Sequence, residues 1–309
     1  MQSPILGSSY VARSVNAADN RMVNLYPEIV PEGGKEPAFL QRAPGLRKLA
    51  TIGLGPIRGL HSYGGYAYVA SGSQLYRIDT GYNATLIGSL SNDGPVSMAD
   101  NGTQLFIACN GPSYIYNAST MAYGLITDPD FPGALTVSYL DGYFVFIEPN
   151  SQKVWTTQLL DGTSIDPLDF ASAEGDPDGL VSSIVDHSEV WLFGSNSVEV
   201  WYNAGNAPFP LQRIQGAFNE IGCAATFSVA KLDNGLFWLG ADARGKAAAR
   251  NREHRRSHPH RVGGGGMGAI GEGVEEQVGQ RIACEVLRVG ALRREAQPLR
   301  CDAGSRRLG

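Results

Sequence analysis

The chain has 309 residues, a formal net charge of −5 and 43% hydrophobic residues, which is length enough to bury a large core. Its 39 glycines, 17 prolines and 9% aromatic residues favour many short strands and tight turns over helices. No stretch approaches about 18 uninterrupted apolar residues, which argues against a membrane-spanning helix, and Met1-Gln-Ser-Pro-Ile lacks the basic and apolar regions of a secretory signal.

Residues 1–50 show little period-2 alternation and are expected to form an extended N-terminal arm, with Asn24-Leu-Tyr-Pro27-Glu and Ala43-Pro44-Gly45-Leu as turn-forming anchors. Pro27 pushes Tyr26 towards an extended backbone, and the Pro44-Gly45 pair favours a type II turn. From residue 57 a unit repeats: an apolar lead strand, a two-residue turn, an aromatic second strand, a polar loop and a third strand. The turn pairs are Gly64-Gly65, Asn101-Gly102, Asp141-Gly142, His187-Ser188 and Asn234-Gly235, whose second members are spaced by 37, 40, 46 and 47 residues. Second strands are predicted at 66–70, 105–109, 143–147, 190–193 and 236–239, and third strands at 75–78, 114–117, 154–157 and 198–202. A fourth, outer strand is written more weakly, as at 85–87.

Asn-Gly and Asp-Gly supply the positive φ that two-residue hairpins need. In the hairpin at 190–202, Val198, Val200 and Tyr202 share one face, while Glu199 and Trp201 share the other. Antiparallel meanders repeating at this length predict the blades of an all-β propeller, because a lone blade leaves a face bare and radial stacking covers it. About five units fit into residues 51–244, whereas about six or seven usually close a ring, so the propeller is expected to be incomplete. An irregular β-sandwich is the alternative.

The composition changes near residue 245. Residues 1–244 carry 12 Lys+Arg and 23 Asp+Glu, a net of −11, whereas residues 245–309 carry 13 and 7, a net of +6. Every Phe, Tyr and Trp lies before residue 245. The remainder is rich in Arg, Gly and Ala, residues spelled by GC-rich codons, as a coding sequence gives when read out of frame. The expectation is therefore out-of-frame translation from about 244–249 and a disordered basic tail over 245–309, with a genuine basic nucleic-acid arm as the rival.

Motifs for chemistry are few. Gly266-Met-Gly-Ala-Ile-Gly271 matches the dinucleotide-loop pattern, but no apolar strand precedes it. His254, His258 and His260 are flanked by arginines, which repel a cation. Glu174, Asp176 and Asp178 surround Pro177, which breaks a calcium-loop spacing, so they read as solvated acids in a turn between blades. Asp186-His187-Ser188 resembles a jumbled triad, but neighbours on a strand point to opposite faces and are not expected to bond. His61 reads as a hydrogen-bonded structural histidine. Cys109, Cys223, Cys284 and Cys301 form no Cys-x-x-Cys pair and read as inert thiols in a reduced compartment. No catalytic, metal or cofactor residue is assigned, and no enzymatic activity is expected. The acidic body opposes phosphate binding, although like charge suits a wall past which a duplex slides without sticking.

Several segments, in order, carry a more specific signal: Val190-Trp-Leu-Phe-Gly, Ser197-Val-Glu-Val-Trp-Tyr-Asn, Gly205-Asn-Ala-Pro-Phe-Pro, Glu220-Ile-Gly-Cys-Ala-Ala and Phe237-Trp-Leu-Gly-Ala-Asp, preceded by Asn24-Leu-Tyr-Pro-Glu and Pro44-Gly-Leu. Over roughly residues 10–244 the chain resembles the packaged-DNA stabilisation proteins of short-tailed bacteriophages. The resemblance implies a structural, non-enzymatic protein of the virion tail, assembled in the host cytoplasm and working without a cofactor. It further implies a homo-oligomeric ring below the portal that retains the packaged genome. Its neighbours would be portal or tail-adaptor and tail-needle proteins, with double-stranded DNA nearby but not read by sequence, and no membrane. The residues matching the family pattern are Asn24, Pro27, Pro44, Gly45, Trp191, Gly194, Glu199, Trp201, Pro208, Gly222, Trp238 and Gly240, read here as fold-keeping. Glu199 is the one candidate for an inter-blade or inter-subunit contact, against a solvated strand glutamate. Two other functions remain open. A propeller-type hydrolase or lyase needs acids or histidines on several lead strands, which offer His61 and Asp186; a ligand-binding surface propeller needs an export signal.

Overall fold

The computed structural model describes residues 25–29, 38–42, 45, 47–91, 94–173, 175–232, 235–241 and 247–253. Strands β1 (Leu25–Ile29) and β2 (Ala38–Arg42) pair antiparallel from Leu25↔Arg42 to Ile29↔Ala38. Part of the expected arm is thus a two-stranded sheet, with Pro27 paired to Leu40 where no interior ladder needs its missing N–H. Asn24 and Pro44 lie outside the described residues, and Gly45 is exposed irregular backbone.

Five sheets follow. The first contains β3 (Ile57–Tyr63), β4 (Tyr66–Ser71), β5 (Gln74–Ile78) and β6 (Ala84–Ser89). The second contains β7 (Ser97–Asp100), β8 (Gln104–Ala108), β9 (Ser113–Asn117) and β10 (Tyr123–Leu125). The third contains β11 (Val137–Leu140), β12 (Tyr143–Ile147), β13 (Lys153–Thr156) and β14 (Phe170–Ser172). The fourth contains β15 (Leu180–Asp186), β16 (Glu189–Gly194), β17 (Val198–Asn203) and β18 (Leu211–Asn219). In each of these, strands pair antiparallel in chain order, as blades of an incomplete β-propeller do.

The fifth blade departs from this plan. Its lead position is split into β19 (Gly222–Cys223) and β20 (Ala230–Leu232), with a 3-10 turn at Thr226–Ser228 between them. Both pair with β21 (Gly235–Ala241), at opposite ends of it. β22 (Ala247–Glu253) pairs along all of β21, so the strand ladder runs past residue 244. Residues 254–309, with the Gly266–Gly271 run and His254, His258 and His260, lie outside the described residues.

The turns follow sequence chemistry with two shifts. Gly64-Gly65, Asp141-Gly142 and His187-Ser188 each have positive φ at both positions, as tight hairpin turns require. In the second blade Asp100 pairs with Leu105 and the Asn101 amide bonds the Gln104 carbonyl, so the turn centres on Gly102-Thr103. The Asn101 carboxamide oxygen accepts from the Thr103 and Gln104 amides, which moves the turn one residue on. In the fifth blade Leu232 pairs with Gly235, so this glycine opens β21 instead of sitting in the turn.

Each core lies between blades, and one rule generates all of them. Counting along each second strand, the second and fourth residues face the preceding blade, and the third and fifth face the next. Tyr68 and Ala70 thus meet Leu105 and Ile107. Phe106 and Ala108 meet Phe144 and Phe146, and Val145 and Ile147 meet Val190 and Leu192. Trp191 and Phe193 meet Leu236 and Trp238. The rings of Phe106 and Phe144 lie 5.4 Å apart, and those of Phe193 and Trp238 5.4 Å apart edge to face. Each large aliphatic or phenylalanine side chain among them contributes about 1.5–3 kcal/mol on burial. Of the 18-residue apolar run that a membrane helix needs there is no example among the described helices.

Candidate functional site: inter-blade latches and the axial cavity

Glu199 is the centre of the first latch. On β17 it shares a face with Trp201, whose ring fills the junction between the third and fourth blades, and the carboxylate goes with it to 2% exposure. Its Oε2 accepts the Trp201 indole N–H at 2.8 Å. Its Oε1 accepts the Gly175 amide at 2.5 Å and lies 3.4 Å from Arg213 Nη1. Gly175 belongs to the connection leading from β14 to β15, so the carboxylate ties this crossover to the third strand of the next blade. A Cβ on Gly175 would overlap Glu199 Oε1 and the Phe218 ring. Glu199 is therefore no solvated glutamate. It is a buried charge with a cationic partner and satisfied oxygens, the condition under which burial is tolerated.

The second latch grips the β16–β17 turn from two sides. Buried Asp178 accepts the amides of Asn196 at 2.5 Å and Ser197 at 3.0 Å and the Ser197 hydroxyl at 3.1 Å. Gly194 lacks a Cβ where one would overlap this carboxylate. From the other side, a Cβ on Gly222 would overlap the backbone of Ser195 and Asn196, so the next blade can touch the turn only through glycine. The Trp238 indole N–H then donates to the Gly222 carbonyl at 3.1 Å, and Gly240 pairs with Cys223. Gly194, Gly222, Trp238 and Gly240, scattered in sequence, are thus brought to the junction of the fourth and fifth blades, where Trp191 also packs. Pro208 follows a cis peptide bond in the β17–β18 loop, next to Phe209, whose ring meets Trp201 edge-on at 6.3 Å.

The axial side is polar. Successive lead strands are cross-linked by His61 Nε2 to Asp100 Oδ2 at 2.7 Å, by the Val137 amide to Ser97 Oγ at 3.1 Å and by Thr136 Oγ1 to Ser183 Oγ at 2.9 Å. Between the fourth and fifth blades the link is Lys231 Nζ to Asp186 Oδ1 at 3.3 Å. These strands line a cavity of about 640 Å³ that also touches Met98, Tyr139 and Phe227. The half-exposed ion pairs add about 0–1 kcal/mol each, so the links set register more than stability.

Three differences from the sequence reading stand out. Asp178 is a buried turn anchor, whereas Asp176, two residues before it, is partly exposed and Glu174 lies outside the described residues. Asp186 and His187 do bond, Oδ2 to Nδ1 at 2.9 Å, because His187 has left the strand for a positive-φ turn and the strict alternation of faces no longer applies. Asp100 and Lys231, absent from the sequence candidates, reach the axial cavity from the end of β7 and the middle of β20. Among the described residues no group of three or more His, Cys, Asp or Glu side chains could hold a metal ion. Burial pushes the Cys109 thiol up to about 11 against a smaller opposing effect of Arg58, and burial also raises that of Cys223.

The fold and the latches define a propeller in which Trp191, Gly194, Glu199, Trp201, Gly222, Trp238 and Gly240 sit at blade junctions, whereas Pro27 lies in the β1–β2 sheet and Gly45 on exposed backbone. The profile of the family described as "Bacteriophage P22 Gp10, beta-propeller" matches residues 1–250, and the chain belongs to this family of phage DNA-stabilisation and tail accessory proteins, structural components of the virion. No curated protein matches the chain. Among solved structures it is similar to the computationally designed Ika8 protein, at 12% identity and a TM-score of 0.44 over 76% of this chain and 69% of that one. It is also similar to Kluyveromyces lactis Hsv2, at 12% identity and a TM-score of 0.40 over 75% and 84%. The extracellular domain of the putative hybrid two-component system BT4673 from B. thetaiotaomicron follows, at 13% identity and 0.43 over 66% and 26%. Similarity at this level bears on no functional question.

Proposed function

We propose that the chain is a tail accessory factor that closes the portal channel and retains packaged DNA in the virion head. Copies assemble as a ring, with the portal or tail adaptor on one side and the tail needle on the other. The observation that carries this reading is the family match over residues 1–250. The net charge of −11 over residues 1–244 fits it, because like charge keeps a passing duplex from adhering to the wall. The axial acids also fit a scaffold better than a hydrolase or lyase: Asp100 is bonded to His61 and Asp186 to His187 and Lys231.

The test is complementation of a phage lacking its own stabilisation gene, read as the DNA retained in purified heads. A version with the reading frame restored after codon 244 is expected to retain the genome, and this chain is not. Equal retention by both would refute the idea that residues 245–309 disable the protein. Loss of DNA with both would refute the function.

A further inference from the structure

The axial cavity offers more hydrogen-bonding groups than the links between blades use. All five described blades line it, and its volume of about 640 Å³ falls within the range of about 300–1,000 Å³ usual for small-molecule sites. Thr136 and Ser183 bond each other, and the Ser97 hydroxyl bonds the Val137 backbone. Ser138, Tyr139, Ser182 and Thr226 line the same space, and their hydroxyls make no hydrogen bond among the described residues. Strands β3, β7, β11 and β15 are also the inner edges of their sheets. Alternate N–H and C=O groups of such an edge point away from the ladder, here towards the axis. The charges, by contrast, are already matched, His61 with Asp100 and Lys231 with Asp186.

The fifth blade adds an apolar face to this polar wall. Its lead position breaks at Thr226–Ser228, and none of the three residues in that turn is buried. The break thus gives the core no side chain, yet it brings Phe227 to the cavity with 47% of its surface exposed. A departure from the local pattern that stabilises no core is characteristic of a functional position. We infer that the axial cavity is a binding site for a neutral sugar of one or two pyranose rings. Sugar hydroxyls donate and accept, as do the serine, threonine and tyrosine hydroxyls and the strand edges that face them. The C–H face of the pyranose ring leaves water by packing on Phe227. An anion is a poor occupant, because Lys231 and His61 already have carboxylate partners. An apolar molecule would leave the unpaired hydroxyls of the wall cut off from water.

The experiment is saturation-transfer difference NMR on the full chain with glucose, galactose, mannose and maltose, one at a time. At least one of them is expected to receive magnetisation on its ring C–H protons. Phe227→Ala, at a residue outside the core, should leave the melting temperature unchanged and raise the dissociation constant of that sugar about five- to tenfold. Phe227→Tyr, which keeps the ring, should bind within about twofold of the unaltered chain. Ser138→Ala, on a different blade, should weaken the same sugar about two- to tenfold. Three results overturn the proposal. The first is transfer to none of the four sugars. The second is transfer that Phe227→Ala and Ser138→Ala both leave intact, which would put the sugar elsewhere on the chain. The third is inorganic phosphate shifting the Lys231 amide resonance where no sugar does, which would make the cavity an anion site. None of these readouts involves DNA retention, so the virion function stands or falls separately.

Discussion

The third and fifth blades are built from the same sequence grammar and stand in different circumstances. In the third, Phe144 and Phe146 are buried against the blade before, and Val145 and Ile147 against the blade after. In the fifth, Leu236 and Trp238 are buried on one side, while Phe237 and Leu239 face no described blade on the other. The alternating pattern is apolar on both faces in both strands, so the difference lies outside the strand. A blade draws its stability from the faces its neighbours cover, because a two-sided apolar sheet gains only from surface removed from water. The fifth blade compensates in part through the Gly222 contact and the Trp238 bond to the preceding turn.

Substitutions sharpen this contrast, and the largest effect belongs to the doubly covered blade. Phe146→Ala empties a fully buried site beside Phe106 and Phe131 and should cost about 3–5 kcal/mol in chemical denaturation. A loss under about 1 kcal/mol would mean that this junction is not packed as described. Gly222→Ala drives a methyl into the backbone of Ser195 and Asn196, and a cost of about 1–3 kcal/mol is expected. Unchanged stability there would show that the fifth blade does not rest on this turn. Glu199→Ala strips the acceptor from the Gly175 amide and the Trp201 indole, at about 1–3 kcal/mol. Glu199→Gln, which keeps an acceptor oxygen, should recover part of it; equal losses would assign the effect to the charge paired with Arg213.

A subtler test uses alkali. The Tyr68 phenol at the first junction is raised from 10.0 to about 12, first by burial and then by Tyr116. The folded state holds this proton more tightly than the unfolded one, so the contribution is complete below pH 10 and is lost as pH rises towards 12. Tyr68→Phe should flatten the fall in denaturation midpoint over that range, and an unchanged pH profile would contradict the burial. The smallest effect is expected at the open face: Leu239→Ala should change stability by less than about 1 kcal/mol. A cost comparable with that of Phe146→Ala would mean the face is covered after all.

Much of this architecture was legible because propeller blades write themselves locally. The alternation in 143–147 and 190–193 and the Gly64-Gly65 and Asp141-Gly142 turns determine strand, register and face within a few residues. What escaped depends on contacts between distant segments. Asp176 and Asp178 are the same letter in one turn, and only the arrival of the Gly194–Ser197 backbone separates the buried anchor from its partly exposed neighbour. The Asp186–His187 bond depends on a positive φ at a histidine, where the sequence shows no glycine. For Glu199 the sequence left an inter-blade or inter-subunit contact and a solvated strand residue both open. Its burial follows from sharing a face with Trp201, a signal that was present in the period-2 pattern. The split lead strand of the fifth blade has no counterpart in the first four to learn from.

Hydrogen exchange resolved strand by strand puts the dependence of blade stability on covered faces to its most direct test. Amides of β8, β12 and β16, each between two neighbours, should open only with global unfolding, whereas those of β21 and β22 should exchange through a lower-energy local opening. Protection in β21 equal to that in β12, in the chain alone, would contradict the account.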